Sequence, residues 1–534
     1  MANWWDTAVV YQVYLRSFAD GNGDGQGDIA GLRSRLHHVA DLGVDAIWLN
    51  PWYASPLEDG GYDVADYRAI EPSYGSLEDA EGLIEDCHTL GIRVIADLVP
   101  NHTSDQHVWF QEALASEPGS TARDRYIFRP GRGDGSEPPN NWIAMFGGSA
   151  WQRVPDGEWY LHLFDTTQPD LNWDNDEVRA EFDDIMRFWL DRGIDGFRID
   201  VAHGMVKHPD LPDADPLPLP WSMQHVDPAV AHPYWDRDGI HEINRRWRAI
   251  LDGYEDRMMV AEAWVHAERL PLYLRADEYH QSFNFDLLET PWSAETFRSV
   301  IGAALDEATA IEAGSTWVLS NHDVMRHATR YGLPNDVDWR RWPMAGPHDL
   351  LDQSLGDRRA RAAALITMSL PGSTYIYQGE ELGLPDVWDL PLDVLDDPTW
   401  VRSGNTEKGR DGCRVPLPWA TDAQAYGFGA NEPWLPQPEI YGERAADAQH
   451  TDPDSMLNLY RRTIAARKHL LAEDPPLRFL DFGPGLLAYE RGVVQVVANM
   501  GSRAVPMPPG RVALTSATEH LGDELPADTA VWLI

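Results

Sequence analysis

Short runs of β-branched and aromatic residues recur along the chain, each closed by polar or Gly/Pro punctuation and separated by longer stretches with apolar residues at helical spacing. Eight such runs stand at 9–14, 46–50, 93–98, 196–200, 258–262, 282–286, 316–320 and 374–377. Between them, segments such as 77–90 and 177–192 gather apolar side chains on one face of a 3.6-residue repeat and predict helices. Strands alternating with helices are the pattern of parallel βα units. Eight of them predict an α/β fold of the (β/α)8 barrel type rather than an open doubly wound sheet.

Two stretches break the rhythm. Residues 101–173, after the third strand, are rich in Gly, Pro, Trp and Asp and read as an irregular insertion over the barrel mouth. Residues 383–451, after the eighth, are Pro- and Trp-rich and form a second long excursion on the same side. A helix is expected over 455–471, and strand-like runs at 486–490 and 494–498 predict a small C-terminal β domain. The expected organisation is a barrel over 1–100 and 174–470, an inserted domain over 101–173 and a C-terminal domain over 471–534. There is no internal repeat or low-complexity tract.

Composition narrows the partners. With 534 residues, 43% hydrophobic and 24% charged, the chain has the make-up of a soluble globular protein. Its formal net charge is −43, and its only lysines are Lys207, Lys408 and Lys468. Such a surface repels phosphate backbones and anionic membranes, favours solubility, and leaves a neutral or cationic small ligand as the expected partner. No run reaches the roughly 18 apolar residues of a membrane span, and MANWWDTAVVYQVYLRSF has no leader pattern, so a cytoplasmic location is expected. Cys87 and Cys413 lack the paired spacing of a disulfide framework or a cysteine-rich zinc site. The 23 tryptophans, set beside so many carboxylates, suit a sugar: indole faces cover C–H surfaces and carboxylates accept from hydroxyls.

In a barrel of this kind the active site lies at the C-terminal ends of the strands. Those ends read DLVPNH (97–102), GFRIDVAHG (196–204), VAEAW (260–264) and LSNHD (319–323). Retaining glycosidic cleavage needs two carboxyl groups about 5–5.5 Å apart, a spacing that adjacent strand ends supply. Asp200 and Glu262 are therefore the candidate nucleophile and acid/base. Arg198 shares a strand face with Asp200 and can hold it ionised, while Asp323 and His322 are placed to bind ring hydroxyls. Asp97 is expected to order the Arg198 loop; His203 either lines the site for the leaving sugar or is ordinary structure. A further motif, DGNGDGQGD (20–28), spaces its oxygens as an EF-hand loop does, with Gly25 at the tight turn. Gly31 stands where an EF-hand has its bidentate Glu, so a single tight loop is expected, not a helix-loop-helix sensor.

Taken together, these segments resemble the α-amylase superfamily of glycoside hydrolases, family 13. The four strand ends match its four core regions in order, QPDLNW (168–173) matches the fifth, and the likeness spans nearly the whole chain. The resemblance implies Asp200 as nucleophile, Glu262 as acid/base, Asp323 as transition-state stabiliser, and His102, Arg198 and His322 as holders of the sugar just before the scissile bond. QPDLN looks like the α-glucosidase and oligo-1,6-glucosidase subgroup rather than endo-acting amylases. EDGGYD (58–63) is similar to the segment whose Asp, here Asp59, binds the terminal 4-hydroxyl and whose Tyr, here Tyr62, stacks on the ring. GRDGCRVPLPW (409–419) resembles the segment whose Arg, here Arg414, meets that Asp, and an Asp59–Arg414 pair is expected to close the pocket to all but a terminal glucose. Related α-glucosidases bind calcium at the early loop, which implies Asp20, Asn22, Asp24, Gln26 and Asp28 as ligands of one structural calcium, with magnesium the alternative and no organic cofactor.

The implied activity is that of a retaining exo-acting α-glucosidase working through a β-glucosyl-Asp200 intermediate on short oligosaccharides, as a monomer or homodimer. Val201 resembles α-1,6-preferring relatives, whereas the continuation VAHGM looks like bacterial enzymes that take maltose, so maltose-type α-1,4 linkage is favoured. The alternatives are an oligo-1,6-glucosidase, or a transferase or isomerase that excludes water better. A non-catalytic sugar-binding or partner protein is the remote one, since transporter heavy chains lack the acids and add a membrane helix and a sugar sensor has little need for Glu262.

Overall fold

The computed structural model describes residues 3–215, 217, 222–311 and 313–534. Its centre is an eight-stranded parallel sheet: β1 Val9–Val13, β2 Ala46–Leu49, β3 Arg93–Leu98, β4 Gly196–Ile199, β5 Met258–Ala261, β6 Gln281–Ser282, β7 Thr316–Val318 and β8 Ser373–Tyr377. The order β6-β5-β4-β3-β2-β1-β8-β7 wraps the sheet into the (β/α)8 barrel. Its strands are buried almost throughout, with polar Gln12, Asp97 and Arg198 included, because both faces are covered, one by the barrel interior and one by helices.

The helices are held at their ends as well as by their apolar faces. Leu77–Thr89 begins in a reciprocal capping box between Ser76 and Asp79. Asp176–Leu190 is capped by Asn175 and buries Val178, Phe182, Ile185, Met186 and Trp189 along one stripe.

The expected strand over 282–286 is corrected. Only Gln281–Ser282 pairs, and Phe285–Glu289 is a helix whose first turn is capped by Asn284, whose side chain accepts from the Leu287 amide at 3.2 Å. The short apolar run suits either state, and the Asn cap decides it. Because β6 is so brief, its seam with β7 is joined by a side chain. Thr316 Oγ1 donates to the Ser282 carbonyl at 2.7 Å and accepts from the Asn284 amide at 3.1 Å.

The stretch 101–173 is less irregular than its composition predicts: it holds the helix Val108–Ala115 and a three-stranded antiparallel sheet of Phe128–Pro130, Glu158–Leu161 and Trp151–Arg153. After the helix Met456–Leu470, a five-stranded antiparallel sheet follows, in the order Leu477–Leu480, Leu486–Arg491, Val494–Asn499, Thr529–Leu533, Val512–Thr515. Among the described residues no helix is long and apolar enough to cross a membrane.

Just past β8, Glu380 is buried and accepts from the Tyr460 hydroxyl at 2.9 Å and the Tyr377 amide at 3.2 Å. Burial, reinforced by Glu381, pushes its carboxyl up to about 8. In the unfolded chain this group releases its proton near the ordinary carboxylate value, whereas the fold retains it until about pH 8. Between those limits the native state binds more protons, so stability falls as pH rises, by about 1.4 kcal/mol per pH unit for this one group. Glu380→Gln has nothing to titrate there and keeps a side-chain oxygen for one of the two donors. The variant is expected to lose less melting temperature than wild type between about pH 5 and 8, as read by differential scanning calorimetry.

Candidate active site

Strand register sets up the chemistry. In the β3–β4 ladder Asp97 stands opposite Arg198, and in the β4–β5 ladder Ala261 stands opposite Ile199. The residues that follow, Asp200 and Glu262, therefore emerge side by side at the barrel mouth. Asp59, Tyr62, His102, Asp200, Glu262, His322 and Asp323 all line one cavity of about 270 Å³.

Under its floor lies Arg198, 2% exposed. Its Nη1 donates to Asp97 Oδ1 at 2.9 Å and to Asp200 Oδ1 at 2.5 Å, and its Nη2 meets Glu262 Oε2 at 2.8 Å. One guanidinium thus bridges the two reacting carboxyls. Burial pushes the Asp200 carboxyl well above the usual range; Arg198 opposes this, while Glu262, which hydrogen-bonds it, and Asp97 add to it. A carboxyl so placed beside a second one is costly to ionise, and that cost falls on Asp200. Asp97 also accepts from Trp48 Nε1 at 3.1 Å and the Tyr62 hydroxyl at 2.9 Å, and burial, against the pull of Arg198, pushes it up to about 6. It acts on Arg198, not on a ligand.

Asp323 has the opposite environment. Burial would raise its carboxyl, but His322, Arg410, Arg414 and Arg198 outweigh that and hold it below the usual carboxylate range. Gln12 Nε2, on β1, donates to His322 Nδ1 at 2.7 Å, which fixes the neutral tautomer with Nε2–H facing Asp323 Oδ2 at 3.3 Å. Burial, with the nearby arginines, keeps that imidazole from charging. The Tyr62 ring lies parallel to it, with centroids 5.2 Å apart. His102 is also held neutral, pushed by burial down to about 4, and its Nε2 contacts the Tyr62 carbonyl at 3.0 Å.

At the far end the expected Asp59–Arg414 pair is replaced. Arg410 takes Asp59, Nη2 to Oδ1 at 2.5 Å, and also reaches Asp323 at 3.2 Å and Asp397 at 2.5 Å. The 3-10 turn Asp411–Cys413 separates the two arginines, and Arg410, not Arg414, lines the cavity. Arg414 lies behind it, over the Tyr14 ring, and spends its donors on the His322 carbonyl at 2.8 Å and Asp323 at 3.1 Å. Gln168, from QPDLNW, donates to Asp59 Oδ2 at 2.9 Å. His203 lines the cavity with its ring stacked on Trp235, centroids 4.8 Å apart.

Residues 12–474 match the family described as alpha amylase, catalytic domain. The chain belongs to the α-amylase family of glycoside hydrolases. It is 39% identical over 484 residues to a probable alpha-glucosidase of Rhizobium meliloti (strain 1021), covering 87% of this chain and 83% of that one. It is 36% identical over 519 residues to the oligo-1,6-glucosidase of Parageobacillus thermoglucosidasius, covering 89% and 87%. Among solved structures, the alpha-glucosyl transfer enzyme XgtA superposes with a TM-score of 0.86 at 33% identity over the whole of both chains. The chain is thus a family 13 enzyme of the glucosidase or transglucosylase kind.

In this glycoside hydrolase the early loop folds onto itself. Asp20 accepts from the Gly23 and Gly25 amides at 2.5 and 3.0 Å. Asp28 accepts from Gly21, Asn22 and Gly31 and caps the helix Ile29–Leu42. Asp24 accepts from the Gln26 amide at 2.8 Å and Asn22 Oδ1 from the Asp24 amide at 2.8 Å. Among the described residues no three His, Cys, Asp or Glu side chains converge as metal ligands. The donor set remains one of hard oxygens, and an amide contact occupies only one lone pair of a carboxylate oxygen.

Gln12, Gln168 and Arg410 were not singled out by the sequence patterns. Gln168 and Arg410 lie inside quoted motifs; Gln12 carries no local signal. Arg410→Ala is expected to lower kcat/KM on an α-glucoside about a hundredfold, because Asp59 loses its buried cationic partner. Steady-state kinetics against Arg410→Lys, which keeps the charge but not the fork, gives the comparison.

Proposed function

We propose that the enzyme is an exo-acting α-glucosidase that removes a single glucosyl unit from the non-reducing end of short α-glucosides, maltose-type α-1,4 links first, with net retention. The observation that carries this reading is the bridging of Asp200 and Glu262 by the one guanidinium of Arg198. That closeness leaves no room for the water that inverting enzymes place between carboxyls about 6.5–9.5 Å apart.

Asp200 Oδ attacks the anomeric carbon as the glycosidic bond breaks, and the Glu262 proton passes to the departing oxygen. This leaves a β-glucosyl ester on Asp200. Glu262, now an anion, takes a proton from water, the hydroxide attacks the same carbon, and Asp200 leaves with its bonding pair. Asp323, kept ionised, meets the positive charge that grows on the ring at both transition states. Arg410 on Asp59 caps the far end, which favours a terminal over an internal unit.

The experiment is to supply maltose, isomaltose, sucrose and trehalose in turn and follow the anomer first released by NMR. α-Glucose from maltose supports the reading; β-glucose overturns retention. A second reading, transglucosylation, is favoured by the likeness to a glucosyl transfer enzyme, and new trisaccharides at high maltose concentration would mark it. We also propose that Asp20, Asn22, Asp24, Asp28 and the Gln26 carbonyl take one calcium ion in preference to magnesium, its charge bracing the rim. Calcium is expected to raise the melting temperature of chelator-treated protein by several degrees; no change with either cation overturns the site.

A further inference from the structure

Resting on the assignment of Glu262 as the acid, we infer that Trp264 is a positioning residue whose indole N–H drives proton donation from Glu262. Trp264 Nε1 donates to Glu262 Oε1 at 3.0 Å. The other oxygen, Oε2, is already committed: it accepts from the Val201 amide at 3.0 Å and faces Arg198 Nη2 at 2.8 Å. Val201 presents that amide from the left-handed region, at φ 46°, a conformation rare for a β-branched residue. The carboxyl is thus gripped at both oxygens, with backbone and guanidinium on one and the indole on the other.

The indole is itself fixed. Its ring lies parallel to Phe285 with centroids 3.7 Å apart, and both rings are buried. Phe285 in turn opens the helix Phe285–Glu289 that replaced the expected sixth-strand extension. A Trp264 ring held this way aims Nε1–H at one point, and that point is an oxygen whose charge changes in the reaction. Toward a neutral carboxylic acid the bond is an ordinary one. As the proton leaves for the glycosidic oxygen, the acceptor becomes an anion, and charge-assisted hydrogen bonds are about twice as strong. The contact therefore tightens on the way to the transition state, which is the condition for an interaction to accelerate a step and not merely hold the ground state.

This separates the hydrogen bond from the bulk of the ring. Trp264→Phe keeps an aromatic ring against Phe285 but cannot donate. On maltose, whose departing sugar alcohol needs the proton, kcat/KM is expected to fall about tenfold or more beyond its fall on 2,4-dinitrophenyl α-glucoside, whose leaving group departs as a stable anion. The ratio of the two kcat/KM values is the readout, since both report the step up to the glucosyl ester. A misfolded or loosened pocket lowers both together. Should Trp264→Phe fold poorly, 3-benzothienylalanine at 264 replaces N–H by sulfur in a ring of the same shape and is expected to shift the ratio the same way. Equal loss on the two substrates, or no loss on either, in the folded variant overturns the role of Trp264 and leaves the glucosidase reading standing. A wild-type chain inert toward both glucosides would overturn that reading, and this inference with it.

Discussion

Asp200→Asn is expected to lower kcat on maltose by at least about 10⁴-fold while leaving the melting temperature unchanged or higher. The loss follows from removing a covalent catalyst: an amide does not form the glucosyl ester, and a 10⁴-fold loss corresponds to about 5.5 kcal/mol of transition-state stabilisation. The stability side follows from the electrostatics. Asp200 sits buried beside Glu262 and Asp97, and those neighbours together with burial push its carboxyl upward. Asn is nearly isosteric and removes one of three carboxylates crowded on Arg198, leaving that guanidinium matched by Asp97 and Glu262. Kinetics and calorimetry on the same preparation test both halves. A variant that keeps more than about one percent of turnover rules out Asp200 as nucleophile, and a large fall in melting temperature rules out the account of its burial.

That the two carboxyls meet on one arginine was legible in outline from the strand ends, because a parallel ladder puts consecutive strand termini side by side whatever the loops do. The residues that tune them were not. Gln12 fixes the tautomer of His322 from 310 positions away, and nothing local in VYQVY distinguishes an inward glutamine from a strand residue facing solvent. The far end of the pocket shows a finer limit. Arg410 and Arg414 lie in one motif, and which of them reaches Asp59 depends on how the 3-10 turn between them is wound. The sixth strand failed for a related reason: FNFDLLE contains a strand-like start and a helix cap, and tertiary packing of Phe285 on Trp264 accompanies the helix. Local pattern thus gave the acids, and three-dimensional neighbours gave their protonation and aim.

Arg198 is where those two levels join, and its replacement carries the other large expected effect. Arg198→Met leaves Asp97, Asp200 and Glu262 buried without the cation that faces all three. Removing one partner of a buried ionic cluster costs about 3–5 kcal/mol, so the melting temperature is expected to fall by several degrees at neutral pH. The sign of the pH dependence is a sharper test. Without Arg198 the folded-state carboxyls of Asp97 and Asp200 rise further above their unfolded values, the native state holds extra protons across a wider window, and the deficit relative to wild type should shrink as pH is lowered toward about 5. Activity should not recover along with stability, since the protons that relieve the repulsion also neutralise the Asp200 nucleophile. Arg198→Lys separates charge from geometry. A lysine ammonium supplies the cation but not the planar fork that reaches Asp97 and Asp200 from Nη1 and Glu262 from Nη2. It is expected to regain most of the stability while leaving kcat/KM depressed about a thousandfold, because rate depends on holding both carboxyls in register and stability mainly on neutralising them. If Lys restored turnover as fully as it restored melting temperature, Arg198 would be acting as a counter-ion alone and the bridging geometry would have no part in catalysis.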